Sequence, residues 1–146
     1  MPATEDAVAL AVAAADAADD VRATDLTLLD VADLLVFADV FLLATTSSDR
    51  QLKAAAERIE ERLREHDRRP EQREGTPESG WVLLDYGDLI CHLFCEEQRE
   101  FYGLDRLWAD VPRRDVDTGE PVEPKVPVGA SRRQAGSRAE GRELDR

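Results

Sequence analysis

The chain has 146 residues, 42% of them hydrophobic, which is material for one domain with a modest core and leaves no room for a separate catalytic domain. Its formal net charge of −13 is unevenly spread: from residue 112 onward eight Lys/Arg meet seven Asp/Glu, so the first 111 residues carry −14. An acidic body repels phosphate and is drawn to basic protein surfaces, which argues against direct sequence-specific contact with nucleic acid, although a need for solubility would account for the charge equally well.

Thr4 caps a first helix over residues 4 to 19, with Glu5 and Asp6 in its first turn. Its body is mostly alanine, so it has little to bury and is expected at the margin of the core. Residues 26 to 31 and 39 to 45 are short runs rich in Leu, Val and Phe and read as two buried strands joined by a turn or irregular link. The apolar stretches at 34 to 38 and 41 to 44 are interrupted by Asp39 and fall far short of the roughly 20 residues of a membrane helix. With acidic rather than basic residues near the N-terminus, a secretory signal is not expected either, and the cytoplasm is the expected location.

Ser48-Asp49-Arg50-Gln51 forms a capping box that opens a helix whose Leu52, Ala55, Ala56, Ile59 and Leu63 share one stripe. Arg69-Pro70 ends it, and the polar stretch from 70 to 80 reads as a loop or a short edge strand. Residues 81 to 86 and 89 to 94 then flank Gly87-Asp88, a pair suited to a two-residue hairpin turn. Residues 96 to 108 follow as a helix, with Phe101, Leu104, Leu107 and Trp108 inward and Gly103 as its weak link. From residue 112 to 146 the chain is rich in Pro, Gly, Arg and Glu, with few large apolar side chains, and is expected to be a disordered tail behind a domain of residues 1–111.

The two-residue turn sets the hairpin register. It pairs Trp81 with Phe94, Val82 with Leu93, Leu83 with His92, Leu84 with Cys91 and Asp85 with Ile90. One face is then Val82, Leu84, Tyr86, Leu89, Cys91, Leu93 and Cys95, which should pack under helices. The other carries Trp81, Leu83, Asp85, Ile90, His92 and Phe94. That second face is too apolar for a purely solvated one, and Asp85 and His92 would need partners in a closed core. Two readings follow: a protein-binding hot spot of aromatic anchors with a few polar groups, or a face covered by a helix on which Asp85 and His92 satisfy each other.

Cys91 and Cys95 lie about 13 Å apart along one strand, too far for a disulfide, and His92 points the other way, so the pair reads as two thiols rather than a metal site. No cofactor is expected. Asp85-Tyr86-Gly87-Asp88 is hairpin chemistry rather than a phosphoryl-transfer site, because no glycine-rich phosphate cradle and no third convergent carboxylate accompany it.

Several of these residues together resemble a known family. Trp81 through Asp88, His92-Leu93-Phe94, Glu97, Arg99, Phe101-Tyr102 and Leu104 through Trp108 look like the signature of the ribosomal silencing factor RsfS, or Iojap-like, family. Leu29-Asp30-Val31, Asp39, Phe41 through Thr45, Ser48, Arg50 and Arg73-Glu74-Gly75 fall in the same order, so that the likeness spans about residues 10 to 111. Val40, Thr46 and Asp105 depart from the residues usual in the family. The resemblance implies a single α/β domain with a mixed sheet of about five strands packed with helices, related to the nucleotidyltransferase fold but lacking its catalytic residues. It implies a non-enzymatic translational repressor that binds the large ribosomal subunit through ribosomal protein L-fourteen and obstructs subunit joining when nutrients are short. On this reading the contact residues are Trp81, Leu83, Asp85, Ile90, His92, Phe94 and Tyr102, and an uncovered face of this kind could pair with itself as a homodimer off the ribosome. The competing readings are an active nucleotidyltransferase relative and an acidic scaffold for a non-ribosomal protein.

Overall fold

The computed structural model describes residues 2–103, 106 and 108–122, the side chains of Phe101 and Tyr102 excepted. The elements are α1 (Glu5–Asp20), β1 (Thr24–Asp30), β2 (Val40–Thr46), α2 (Asp49–Arg64), β3 (Gln72–Thr76), a 3-10 turn (Pro77–Ser79), β4 (Trp81–Asp85), β5 (Leu89–Cys95), α3 (Glu96–Tyr102) and β6 (Arg113–Arg114). They build one α/β domain around a six-stranded mixed sheet of order β3-β4-β5-β2-β1-β6. Only β2 and β5 run parallel, and the remaining pairs are antiparallel.

The sheet separates two apolar layers. On the first face Leu28, Leu42, Val82, Leu84, Cys91 and Leu93 pack against α1 and α2. On the second, Leu29, Val31, Ala38, Phe41, Leu43, Ile90 and Val111 form a smaller cluster, with Leu35, Leu83 and Trp108 at its border. This asymmetry follows from the chain: the connection from β2 to the parallel β5 carries α2 across one face, while the other is covered in part, by the β1–β2 loop, the segment around Trp108 and Arg99 of α3.

Ser48 accepts the Gln51 amide hydrogen at 3.1 Å, as its position at the N-cap predicts. The return limb differs from a capping box, because the Gln51 carbonyl oxygen accepts from the Ser47 amide, at 2.7 Å. Its Nε2 donates to the carbonyls of Val21 and Arg22, at 2.9 and 3.0 Å, and so ties the start of α2 to the end of α1.

Helix α1 is not marginal, as its composition suggested. Ala7, Ala11, Ala14, Ala15, Ala17 and Ala18 are all buried. Small side chains let the helix approach α2 and the sheet closely, so backbone and methyl groups supply the packing that long side chains would supply elsewhere. Arg58 and Arg62 of α2 bridge to Asp16 and Asp20 along the outer edge of this contact.

The last helix is shorter than the sequence suggests. It ends at Gly103, in the left-handed region with φ +59, and Trp108 lies in a turn beyond it. Leu104, Asp105 and Leu107 fall outside the described residues. The expected tail also begins too early at residue 112: Arg113–Arg114 pairs with β1 as β6, and Val122 donates to the Arg113 carbonyl. The Arg114 guanidinium meets the Asp30 carboxylate at 3.0 Å with both side chains mostly buried, a contact that offsets the cost of ordering a polar segment. Residues 123–146 lie outside the described residues.

Candidate functional site

The β4–β5 hairpin has the register read from its turn: Trp81 opposite Phe94, Val82 opposite Leu93, Leu83 opposite His92, Leu84 opposite Cys91 and Asp85 opposite Ile90. Gly87 takes φ +91 at the turn, a backbone conformation that costs glycine little. Its amide donates to Asp85 Oδ1 at 2.8 Å. Asp88 pairs with Arg68 at 2.7 Å, and the same guanidinium reaches the Tyr86 carbonyl. Both aspartates thus serve the turn.

Trp81, Leu83, Asp85, Ile90, His92 and Phe94 lie together on the second face, and they split by depth. Ile90 and Phe94 are buried, whereas Trp81, Leu83, Asp85 and His92 are half-buried. The centre of this face is therefore covered and its border is open, and Asp85 and His92 do not satisfy each other, since His92 Nε2 has no hydrogen-bond partner. The cover comes from two sides. The β1–β2 loop and the segment around Trp108 close over Phe41, whose ring meets the Trp108 ring edge-on at 5.5 Å. At the other end Arg99 of α3 is buried, donating to the Asp25 carbonyl at 2.7 Å, Thr45 Oγ1 at 2.9 Å and Thr27 Oγ1 at 3.3 Å. Tyr102 is the last residue of α3, and its side chain lies outside the described residues.

His92 is packed as an aromatic. Its ring centre lies 4.8 Å from that of Phe41. Burial pushes its pKa down to about 4, against the pull of the Asp85 carboxylate, so the imidazole is neutral near pH 7.

The sequence reading missed the loop between β1 and β2. Leu34, Val36 and Phe37 are exposed large apolar side chains beside the second face, whereas their neighbours Val31, Leu35 and Ala38 pack into its cluster. The signal for it is the apolar run at 34 to 38, too short for a membrane helix. Among the described residues no helix is long and apolar enough to cross a membrane.

A cleft at the carboxyl ends of the parallel β2 and β5 is where open α/β sheets take phosphates. Here it is lined by Ser47, Ser79, Asp49, Glu78, Glu96 and Glu97, four carboxylates that repel a phosphoryl group. Among the described residues no group of three or more His, Cys, Asp or Glu is placed to hold a metal ion. Cys91 is buried in the first core, and desolvation raises its thiol pKa far above the ordinary range, so it is no nucleophile.

The family model for "Ribosomal silencing factor during starvation", RsfS, matches residues 4–143. The chain belongs to the RsfS family. It is 40% identical over 106 residues to the ribosomal silencing factor RsfS of Bacillus subtilis, covering 73% of this chain and 90% of that one. Against the chloroplastic protein Iojap of Zea mays the identity is 32% over 103 residues, 70% of this chain and 45% of that longer protein. Among solved structures, a Chromobacterium violaceum protein superposes with a TM-score of 0.66 at 30% identity, covering 69% of this chain and 84% of that one. One from Bacillus halodurans gives 0.62 at 28% identity, over 82% and 99%. RsfS membership thus accords with the α/β architecture and with the residues of β4, β5 and α3 that carried the resemblance.

Proposed function

We propose that this chain is a non-enzymatic translational repressor that docks on the large ribosomal subunit through ribosomal protein L-fourteen and so keeps the small subunit from joining when nutrients are limiting. The observation that carries this reading is the open border of the second face, where Trp81, Leu83, Asp85 and His92 are only half-buried around a buried aromatic centre. Rigid aromatic anchors beside a few polar groups, on a scaffold of net charge −13, suit a basic protein surface. A specific footprint of roughly 800 Å² is enough to exclude a second large body from the same place, with no bond made or broken and no cofactor. The carboxylate-lined cleft favours this over nucleotide chemistry.

Light scattering of purified subunits tests the reading. The protein is expected to slow subunit joining in proportion to its occupancy of the large subunit, and joining at an unchanged rate with the protein in saturating excess contradicts it.

A further inference from the structure

The β1–β2 loop holds three large apolar side chains in solvent, and hydrogen bonds tie down its base and its first turn. Phe37 is 67% and Leu34 59% exposed, and Val36 is fully exposed. The Val31 amide donates to the Asp39 carbonyl at 2.9 Å, closing the base of the loop, and the Asp39 amide donates to the Asp88 carbonyl at 2.8 Å, which ties that base to the β4–β5 turn. Within the loop the amides of Leu34 and Leu35 both donate to the Val31 carbonyl. Asp30 Oδ1 accepts from Ala32, at 3.2 Å. A loop tethered at its base in this way has less entropy to lose when a partner buries it than a free segment would.

We infer that Leu34, Val36 and Phe37 form a second anchor, continuous with the hairpin face, that enters an apolar depression on a basic protein surface of the large subunit; this rests on the docking reading above. Charge selects that occupant. From residue 23 to 49 the chain has five aspartates and no Lys or Arg, and the depression beside Leu34 is lined by Asp30, Asp33 and Asp110 together with Arg113 and Arg114, three carboxylates against two guanidinium groups. A second copy would set the same acidic segment against itself, and three side chains fall well short of the roughly 800 Å² per partner of a stable interface. An anionic lipid surface would repel the same aspartates.

The test compares wild type, Val36→Ser/Phe37→Ser and Trp81→Ala for binding to isolated large subunits, alongside thermal melting and sedimentation velocity. The double variant is expected to bind about tenfold or more weaker with an unchanged melting temperature, since both side chains are already in solvent. Leu34→Ser gives an independent reading should the double variant lose stability. Wild-type affinity in the double variant, while Trp81→Ala binds poorly, overturns the inference and leaves the docking reading standing. A wild-type protein that ignores large subunits overturns both. A dimer that the double variant dissolves without altering ribosome binding assigns the tip to a second copy, and this too overturns the inference.

Discussion

The ring of His92 lies parallel to that of Phe94, 2° from coplanar with centres 6.2 Å apart, and its Nε2 is buried without a hydrogen-bond partner. The fold thus spends a titratable group as an aromatic spacer. The folded-state pKa is about 4, below the ordinary 6.5, so between those values the unfolded chain binds the extra proton. Stability from this group is therefore fully present above pH 6.5, is lost as pH falls toward 4, and changes no further below that. The loss amounts to roughly 3 kcal/mol at most. Chemical denaturation of wild type and His92→Phe across this range checks it: the wild type is expected to lose stability more steeply as pH falls, whereas parallel curves would show that His92 does not titrate on unfolding.

Arg99 joins three elements through the Asp25 carbonyl and two threonine hydroxyls. The Asp25 carbonyl belongs to a residue with φ +50 inside the irregular stretch where β1 slips register against β2. Arg99→Ala leaves these acceptors short of a donor and is expected to cost about 2 to 4 kcal/mol in urea unfolding. Lysine should not rescue it, because a single ammonium cannot span the same acceptors.

Gly75 sits against Trp81, at φ +79, and a Cβ there would collide first with the Trp81 carbonyl oxygen and then, at 2.8 Å, with Cε3 of its indole. Gly75→Ala is thus expected to displace the indole and to weaken the β3–β4 edge by about 1 to 3 kcal/mol. Tryptophan emission should shift to the red and ribosome binding should fall; an unchanged spectrum with wild-type binding would show that the edge absorbs the methyl group.

Arg114→Met removes the partner of a mostly buried Asp30 carboxylate and should cost about 3 kcal/mol. Melting curves of wild type and variant measure the difference, and an unchanged midpoint would show that the ion pair does not hold β6 to β1.

The hairpin and α2 were legible because their signals are local. A two-residue turn sets which side chains pair, and a 3.6-residue stripe sets which side of a helix is buried. Less legible were features decided by tertiary context. The alanines of α1 look inert until a neighbouring helix makes small size the advantage. Gly103 can continue or stop a helix, and only its left-handed backbone in the fold shows that it stops α3. Arg113 and Arg114 read as tail residues because nothing nearby reveals that Asp30 awaits a guanidinium. The exposed loop was visible as an apolar run, but burial is a property of the fold, so its outward residues could not be told from its inward ones.

The half-open hairpin face is the centre of this account, and a photo-crosslinking amino acid in place of Leu83 tests it most directly. After irradiation with purified large subunits, the account predicts a dominant adduct with ribosomal protein L-fourteen that disappears when unlabelled wild-type protein is added in excess. Adducts confined to other ribosomal proteins, or none from a variant that still blocks subunit joining, would contradict it.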